Sequence, residues 1–203
     1  MVVKTREKLI EVARQLFAHK GVANTTMNDI AEASDKGRRT IYTYFKNKKE
    51  IYNAVIETES DRIVTSLRAI ATSDAPPAER LRNFMLARLE HGRTIGSAYE
   101  SLLSWLKFDL RRMERIHRLV REKETAMLGR ILDDGVTDGS FDPHMCALLR
   151  GFIDQCAAGL DLSNIDSKGE HSDYKRAHAD FVEFVISGLM KERPDIKSLF
   201  KNI

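Results

Sequence analysis

Two cysteines in 203 residues, Cys146 and Cys156, are too few for a disulfide-stapled scaffold. No close Cys or His pair accompanies them, so a zinc site is not indicated. On one helix, ten residues would separate them by about 15 Å, too far for an intrachain bridge. The expectation is therefore two small buried apolar side chains, with a redox-sensing pair as the alternative. Four prolines and eleven glycines exclude a fibrous or disordered composition. No apolar run approaches the roughly 18 residues of a membrane span. The first residues, Met-Val-Val-Lys-Thr-Arg-Glu-Lys, lack the apolar core of a signal peptide, and a cytoplasmic location is expected. GxGxxG, GxSxG, HExxH and P-loop patterns are missing and the six histidines are dispersed. That leaves no nucleophile–base pair, metal cluster or phosphate loop for catalysis. Neither an enzyme nor a cofactor is expected.

What is present is an ordinary apolar share, 42%, with 31% charged residues and an uneven distribution of sign. Residues 1–50 hold eleven Lys and Arg against six Asp and Glu, a balance of +5, whereas residues 51–203 hold 22 against 24, a balance of −2. Positive charge confined to the first quarter suits a DNA-contacting head on a body that does not touch DNA.

The stretch Thr25 to Tyr52 carries the most information. Thr26 followed by Asp29 is a helix-start signature, and Ile30, Ala31 and Ala33 give the short helix one apolar side. Ser34-Asp35-Lys36-Gly37 favours a turn, with Gly37 able to open the next helix. That second helix spans Arg38 to Tyr44, with Ile41 and Phe45 inward. Asn47 and Glu50 form a further capping signature, so a long helix begins at Lys48. Two short helices around a tight turn, the second opening on arginines, form a helix-turn-helix whose second helix reads the major groove. Lys36, Arg38 and Arg39 gather at its leading edge, and arginine pairs bidentately with guanine, so a G-containing half-site is expected. Arg38, Arg39, Thr40 and Thr43 are the candidates for base contact, with Asn28 also within reach of the groove.

The runs I-A-x-A at 30–33, T-I-Y-x-Y-F at 40–45 and N-K-x-E-I at 47–51 resemble the TetR family of bacterial transcriptional regulators over roughly residues 5–55. Many members have Ala-Gly-Val-Ser where this chain has Ser34 to Gly37, so a lysine replaces a buried valine in the turn. The resemblance places Thr26, Tyr42, Tyr44 and Lys48 at positions that hold phosphates or the groove wall.

Along the chain, the periodicity predicts an all-α protein of about nine helices. The first spans Thr5 to His19 and ends at Gly21. The fourth runs from Lys48 to about Ala71, long enough to act as a lever between head and body. A fifth covers Ala78 to Thr94, with Gly96 and Ser97 breaking it from a shorter helix over Ala98 to Lys107. Further helices are expected over Leu110–Asp134, Pro143–Leu160 and Asp173–Lys191. Arg111, Arg115, Arg118 and Arg121 follow one face of the first of these, but interspersed glutamates make it a solvated face. The expected division is a DNA-binding domain over residues 1–50 and a helical effector-binding and dimerisation domain over 51–203.

The resemblance implies a homodimer that binds an inverted-repeat operator, usually as a repressor, and a cavity in the body for a small effector. Candidate lining residues are Phe84, Arg88, His91, Tyr99, Trp105 and Phe108. Candidate dimer residues are Phe152, Cys156, Gly159, Phe181, Phe184 and Val185. The alternative is an effector-independent or nonspecific DNA-binding protein.

Overall fold

The computed structural model describes the backbone of residues 2–103, 110–157 and 171–191, and side-chain surroundings for 4–90, 115–116, 118–151 and 176–191. Among the described residues there are eight α-helices: α1 (Val2–Lys20), α2 (Met27–Ala33), α3 (Arg38–Tyr44), α4 (Lys48–Ala71), α5 (Pro77–Leu103), α6 (Leu110–Thr137), α7 (Pro143–Ala157) and α8 (His171–Leu189). Extended pairing among the described residues is limited to one antiparallel bridge, Phe141 with Met190. The class is all-α, as expected. The chain divides into two compact units, Met1–Ile63 with Ile95–His117 and Val64–Thr94 with Arg118–Ile203.

In the first unit, Leu9, Ile10, Ala13 and Phe17 recur at helical spacing along α1 and are buried. Gly21, at φ 77, closes the helix with its N–H on the Phe17 carbonyl. Met27, Ile30 and Ala31 of α2, Ile41 and Phe45 of α3 and its exit, and Ile51, Tyr52, Ala54 and Val55 of α4 complete one apolar cluster. Phe17 and Tyr52 meet with ring centroids 5.7 Å apart. Ala33, expected on the apolar side of α2, is exposed. Each fully buried aliphatic side chain contributes about 1.5–3 kcal/mol, and α2 and α3 depend on it because seven residues are too few for a stable isolated helix.

Charged groups tie α1 to α4 beside this core. Glu11 accepts from Arg14 at 2.6 Å and from Arg62 at 2.9 Å, and Arg62 also reaches Glu59 at 2.7 Å. The Arg14 bond first, and the Arg62 bond second, hold the Glu11 carboxyl at a pKa of about 2, below its ordinary 4.5.

The second unit buries Val64, Leu67 and Ala71 of α4, Leu81 and Phe84 of α5, Met127, Ile131 and Leu132 of α6, and Val182, Ile186 and Leu189 of α8. Arg80 joins Asp134 at 2.8 Å and caps α4 through the Ala71 carbonyl at 3.0 Å. Arg82 makes a paired bond to Glu183. Cys146 is buried, and burial raises its thiol pKa, so it packs as a small apolar side chain. The side chain of Cys156 lies outside the described set.

Helix ends shift by one to three residues from the sequence reading at α1, α7 and α8, and two differences have a physical cause in glycine. Gly96 and Ser97 do not interrupt α5, which runs unbroken for 27 residues. A helical glycine costs about 1 kcal/mol, which a helix of that length absorbs. The helix expected to stop at Asp134 continues to Thr137, because Gly135 serves packing and not termination. A Cβ at Gly135 would stand 2.1 Å from the Phe141 ring, and the Phe141 N–H donates to the Gly135 carbonyl at 2.8 Å. The chain turns at Gly139, φ 82, and Asp142 caps α7 through the N–H groups of His144 and Met145.

Gly135→Ala is expected to destabilise the protein by about 1–3 kcal/mol despite alanine's better helix propensity, because Phe141 must move. A thermal melt checks it, and a raised melting temperature would contradict the packing argument. For Glu11, a lowered native pKa means that its contribution is present above pH 4.5 and is lost as the pH falls towards about 2. Glu11→Gln should therefore melt lower than the parent at neutral pH, by an amount on the order of 1 kcal/mol or less for so exposed a pair. The gap should close by pH 2.

Candidate nucleic-acid interface

The turn between α2 and α3 sets the direction of the second helix, and its geometry follows from four residues. Thr26 and Asp29 make the reciprocal box at the start of α2: the Asp29 N–H donates to Thr26 Oγ1 at 3.1 Å and the Thr26 N–H to Asp29 Oδ2 at 2.8 Å. The Thr26 backbone bond first, then Lys20, lowers the Asp29 carboxyl pKa. At the other end Asp35 takes a left-handed conformation, φ 56. The Asp35 N–H reaches the Glu32 carbonyl at 3.0 Å and the Lys36 N–H the Ala31 carbonyl at 2.9 Å, a complete two-bond helix stop of the kind glycine usually makes. Ser34 is fully buried in the turn, and its hydroxyl donates to the Ala31 carbonyl at 2.9 Å. Lys36, half-buried, does not have to fill the place of a core valine.

From Gly37 the chain enters α3 without a side-chain cap. At 100° per residue, Ile41 points into the core while Arg39 and Thr43 fall roughly opposite it. Both are exposed, one turn apart, with the Thr43 hydroxyl on the Arg39 carbonyl at 3.0 Å. Arg38 and Tyr42 occupy the flank, the guanidinium 5.7 Å from the ring centroid. Thr40 and Tyr44 are half-buried on the other flank, and Tyr44 packs against the core. Beyond α3, the Glu50 N–H donates to Asn47 Oδ1 at 3.0 Å, while Glu50 reaches back to the Lys46 N–H at 2.7 Å, one residue earlier than a reciprocal box on Asn47 requires.

Arg38 and Tyr42 line a shallow open depression with Thr25, Thr26, Met27, Asn28 and Lys48. This brings together five of the ten residues singled out in the sequence, Thr26, Asn28, Arg38, Tyr42 and Lys48. Periodicity gave no sign of Thr25 or Met27 there. Thr25 is fully buried with its hydroxyl on the Gly21 carbonyl, and Met27 is core, so only their edges show. Lys48 is unlike the other cations. Its ammonium donates to the carbonyls of Val22 at 2.7 Å and Ala23 at 3.1 Å, and burial lowers its pKa.

The candidate effector residues are only partly described. Phe84 is buried, and Arg88, 44% exposed, bonds at 2.7 Å to Glu124, which is itself almost buried. The side chains of His91, Tyr99, Phe152 and Cys156 lie outside the described set, as do the residues Trp105, Phe108 and Gly159 entirely. Phe181 and Phe184 are exposed on α8 and Val185 is half-buried. No described helix is long and apolar enough to cross a membrane.

Residues 9–55 match the family model for bacterial regulatory proteins of the tetR family. The probable acrEF/envCD operon repressor of Escherichia coli K12 is 36% identical over 90 residues, 44% of this chain and 41% of that protein. The match thus spans about two fifths of that relative. The HTH-type transcriptional repressor KstR2 of Mycolicibacterium smegmatis is 27% identical over 143 residues, 69% of each chain. Among solved structures, a TetR/AcrR-family transcriptional regulator from Thermobifida fusca superimposes with a TM-score of 0.61 over 87% of this chain and 95% of its own, at 23% identity, a likeness of fold.

The left-handed Asp35 is a measurable weak point. Asp35→Gly should raise stability by about 1 kcal/mol in urea denaturation, because glycine adopts this conformation without a steric penalty. Asp35→Val should lower it, and a neutral valine would contradict the assigned turn.

Proposed function

We propose, from the match of residues 9–55 to the family model for tetR-type bacterial regulatory proteins, that this chain is a transcriptional repressor of that kind. In this reading it grips an inverted-repeat operator as a homodimer and releases it when a small effector binds. The observation that carries the DNA-binding part is the exposed Arg38–Arg39 pair on a helix fixed by caps and core, in the quarter of the chain that holds the positive excess. Arg39 and Thr43, facing away from Ile41, are assigned to base edges with Arg38 and Thr40; Asn28 and Lys36 flank them. Tyr42, Tyr44 and Thr26 are assigned to the backbone and groove wall, contacts that fix register and not sequence.

Pairing is supported by exposed apolar bulk on the last two helices. Phe181 and Phe184, 47% and 56% exposed, stand three apart on α8, and Leu148 on α7 is 55% exposed. Large apolar side chains left in water on adjacent elements mark a surface that a second copy covers. Phe152, Cys156, Gly159 and Val185 belong to the same proposed interface. The division into a DNA-binding part, 1–50, and an effector and dimer part, 51–203, goes with this reading, with α4 contributing to both units. For the effector site, formed by Phe84, Arg88, His91, Tyr99, Trp105 and Phe108 in this proposal, an anionic ligand would have to compete with Glu124 for Arg88.

Selection of bound DNA from a random duplex pool tests the proposal. An inverted repeat with guanine in each half-site is expected. Arg38→Ala and Arg39→Ala should each relax preference at one position by about 1–3 kcal/mol. Phe184→Asp should yield monomers in sedimentation and abolish operator binding. A salt-sensitive smear with no shared sequence would instead favour the nonspecific DNA-binding alternative.

A further inference from the structure

We infer that Lys48 is a positioning residue of the DNA-binding head, clamping the first turn of α4 onto the turn ahead of α2 and so fixing how α3 is presented. Its charge, in this account, is not one of those that meet the phosphate backbone. The inference rests on the reading of α3 as a recognition helix.

From the end of α1 onward, four successive carbonyls, Lys20 to Ala23, each take a side-chain donor. Helix termini leave carbonyl groups without an intrahelical partner, and each must be satisfied elsewhere. The Lys20 carbonyl takes the Asn24 side-chain amide at 3.0 Å, and the Gly21 carbonyl takes the Thr25 hydroxyl at 2.8 Å. The next two, Val22 and Ala23, take the Lys48 ammonium at 2.7 and 3.1 Å, the Val22 carbonyl also accepting a longer bond from the Thr25 N–H at 3.4 Å. Asn24 and Thr25 act from within the turn. Lys48 reaches it from 26 and 25 positions away, so its bonds close a loop that encloses α2, the left-handed turn and α3.

Closure matters because the remaining contacts beneath these helices are apolar. Burial in a common core holds α2, α3 and α4 together but is non-directional, and it does not by itself fix the angle at which a seven-residue helix leaves the surface. Hydrogen bonds are directional, and a charged donor strengthens them. The ammonium also sits near the C-terminal end of α1, where a cation is favoured. Its lowered pKa reflects partial withdrawal from water, with the charge of Asp29 pulling the other way. A surface lysine waiting for a phosphate would stay hydrated.

The test is binding of the full-length protein to the selected duplex across a salt series, for the parent, Lys48→Met and Lys48→Gln, with hydrogen exchange of the free proteins. Glutamine keeps a donor and removes the charge. The inference predicts that Lys48→Met loses about tenfold or more in affinity at every salt concentration, while the slope of log K against log salt is unchanged. The amides of α2 and α3 should exchange faster in Lys48→Met, and Lys48→Gln should recover part of both losses. A phosphate contact would instead flatten the slope by about 0.9 per subunit in both variants with exchange unaltered, overturning the inference. Unchanged affinity would also overturn it. Should the parent bind no duplex, the DNA-binding reading fails separately, and the exchange comparison still decides whether Lys48 holds α2 and α3. Should Lys48→Met not fold, Lys48→Gln carries the comparison: a flattened slope refutes the inference and a preserved one supports it.

Discussion

Helices α2 and α3 have seven residues each, a length at which an isolated helix melts in water. Their persistence depends on Ile30 and Ile41, both wholly buried, which pin the two helices to the floor built by α1 and α4. Everything that faces outward on α3 takes its direction from that pair. If Ile41 is inward, Arg39 and Thr43 are outward, and Arg38 lies along Tyr42 on the flank. The caps then refine what the core permits. Thr26 with Asp29 starts α2, Asp35 in its left-handed state stops it, and Asn47 starts α4.

Charge is arranged around this core in two different ways. Glu11, Arg14, Glu59 and Arg62 are matched within a few ångströms, so they fasten α1 to α4 and leave little net field. Among the described residues Arg38 and Arg39 have no such acidic partner, and they stay in water, where the cost of bringing a polyanion to them is low. The second unit has the first arrangement at four arginines: Arg80, Arg82, Arg88 and Arg150 are paired with Asp134, Glu183, Glu124 and Asp133. It also leaves large apolar side chains exposed, Phe181 and Phe184, which suit contact with protein.

Much of this was legible from residue order. The bounds of α3 and α4 came out as read, since Gly37, Asn47 and Glu50 are local signals that act within a few residues. Gly96 misled, because a glycine is a weak breaker inside a helix long enough to absorb it. Gly135 misled in the opposite sense, its bareness being required by Phe141 and not by a helix end. The role of Lys48 was hidden for another reason: its partners are backbone carbonyls some 25 positions distant, which no side-chain pattern records. The pairing of Glu11 with Arg62, 51 positions apart, is invisible to periodicity for the same reason. Asp35 holds the left-handed stop of α2 that a glycine usually makes, which residue type alone does not announce.

The central claim is that two copies of α3 meet one duplex on the same face. Hydroxyl-radical footprinting of the purified protein on a selected duplex tests this most directly. The account predicts two protected patches related by a dyad, with centres about one helical turn, ~34 Å, or a multiple of it apart. A single patch without a symmetry mate, at protein concentrations that saturate the site, would contradict it.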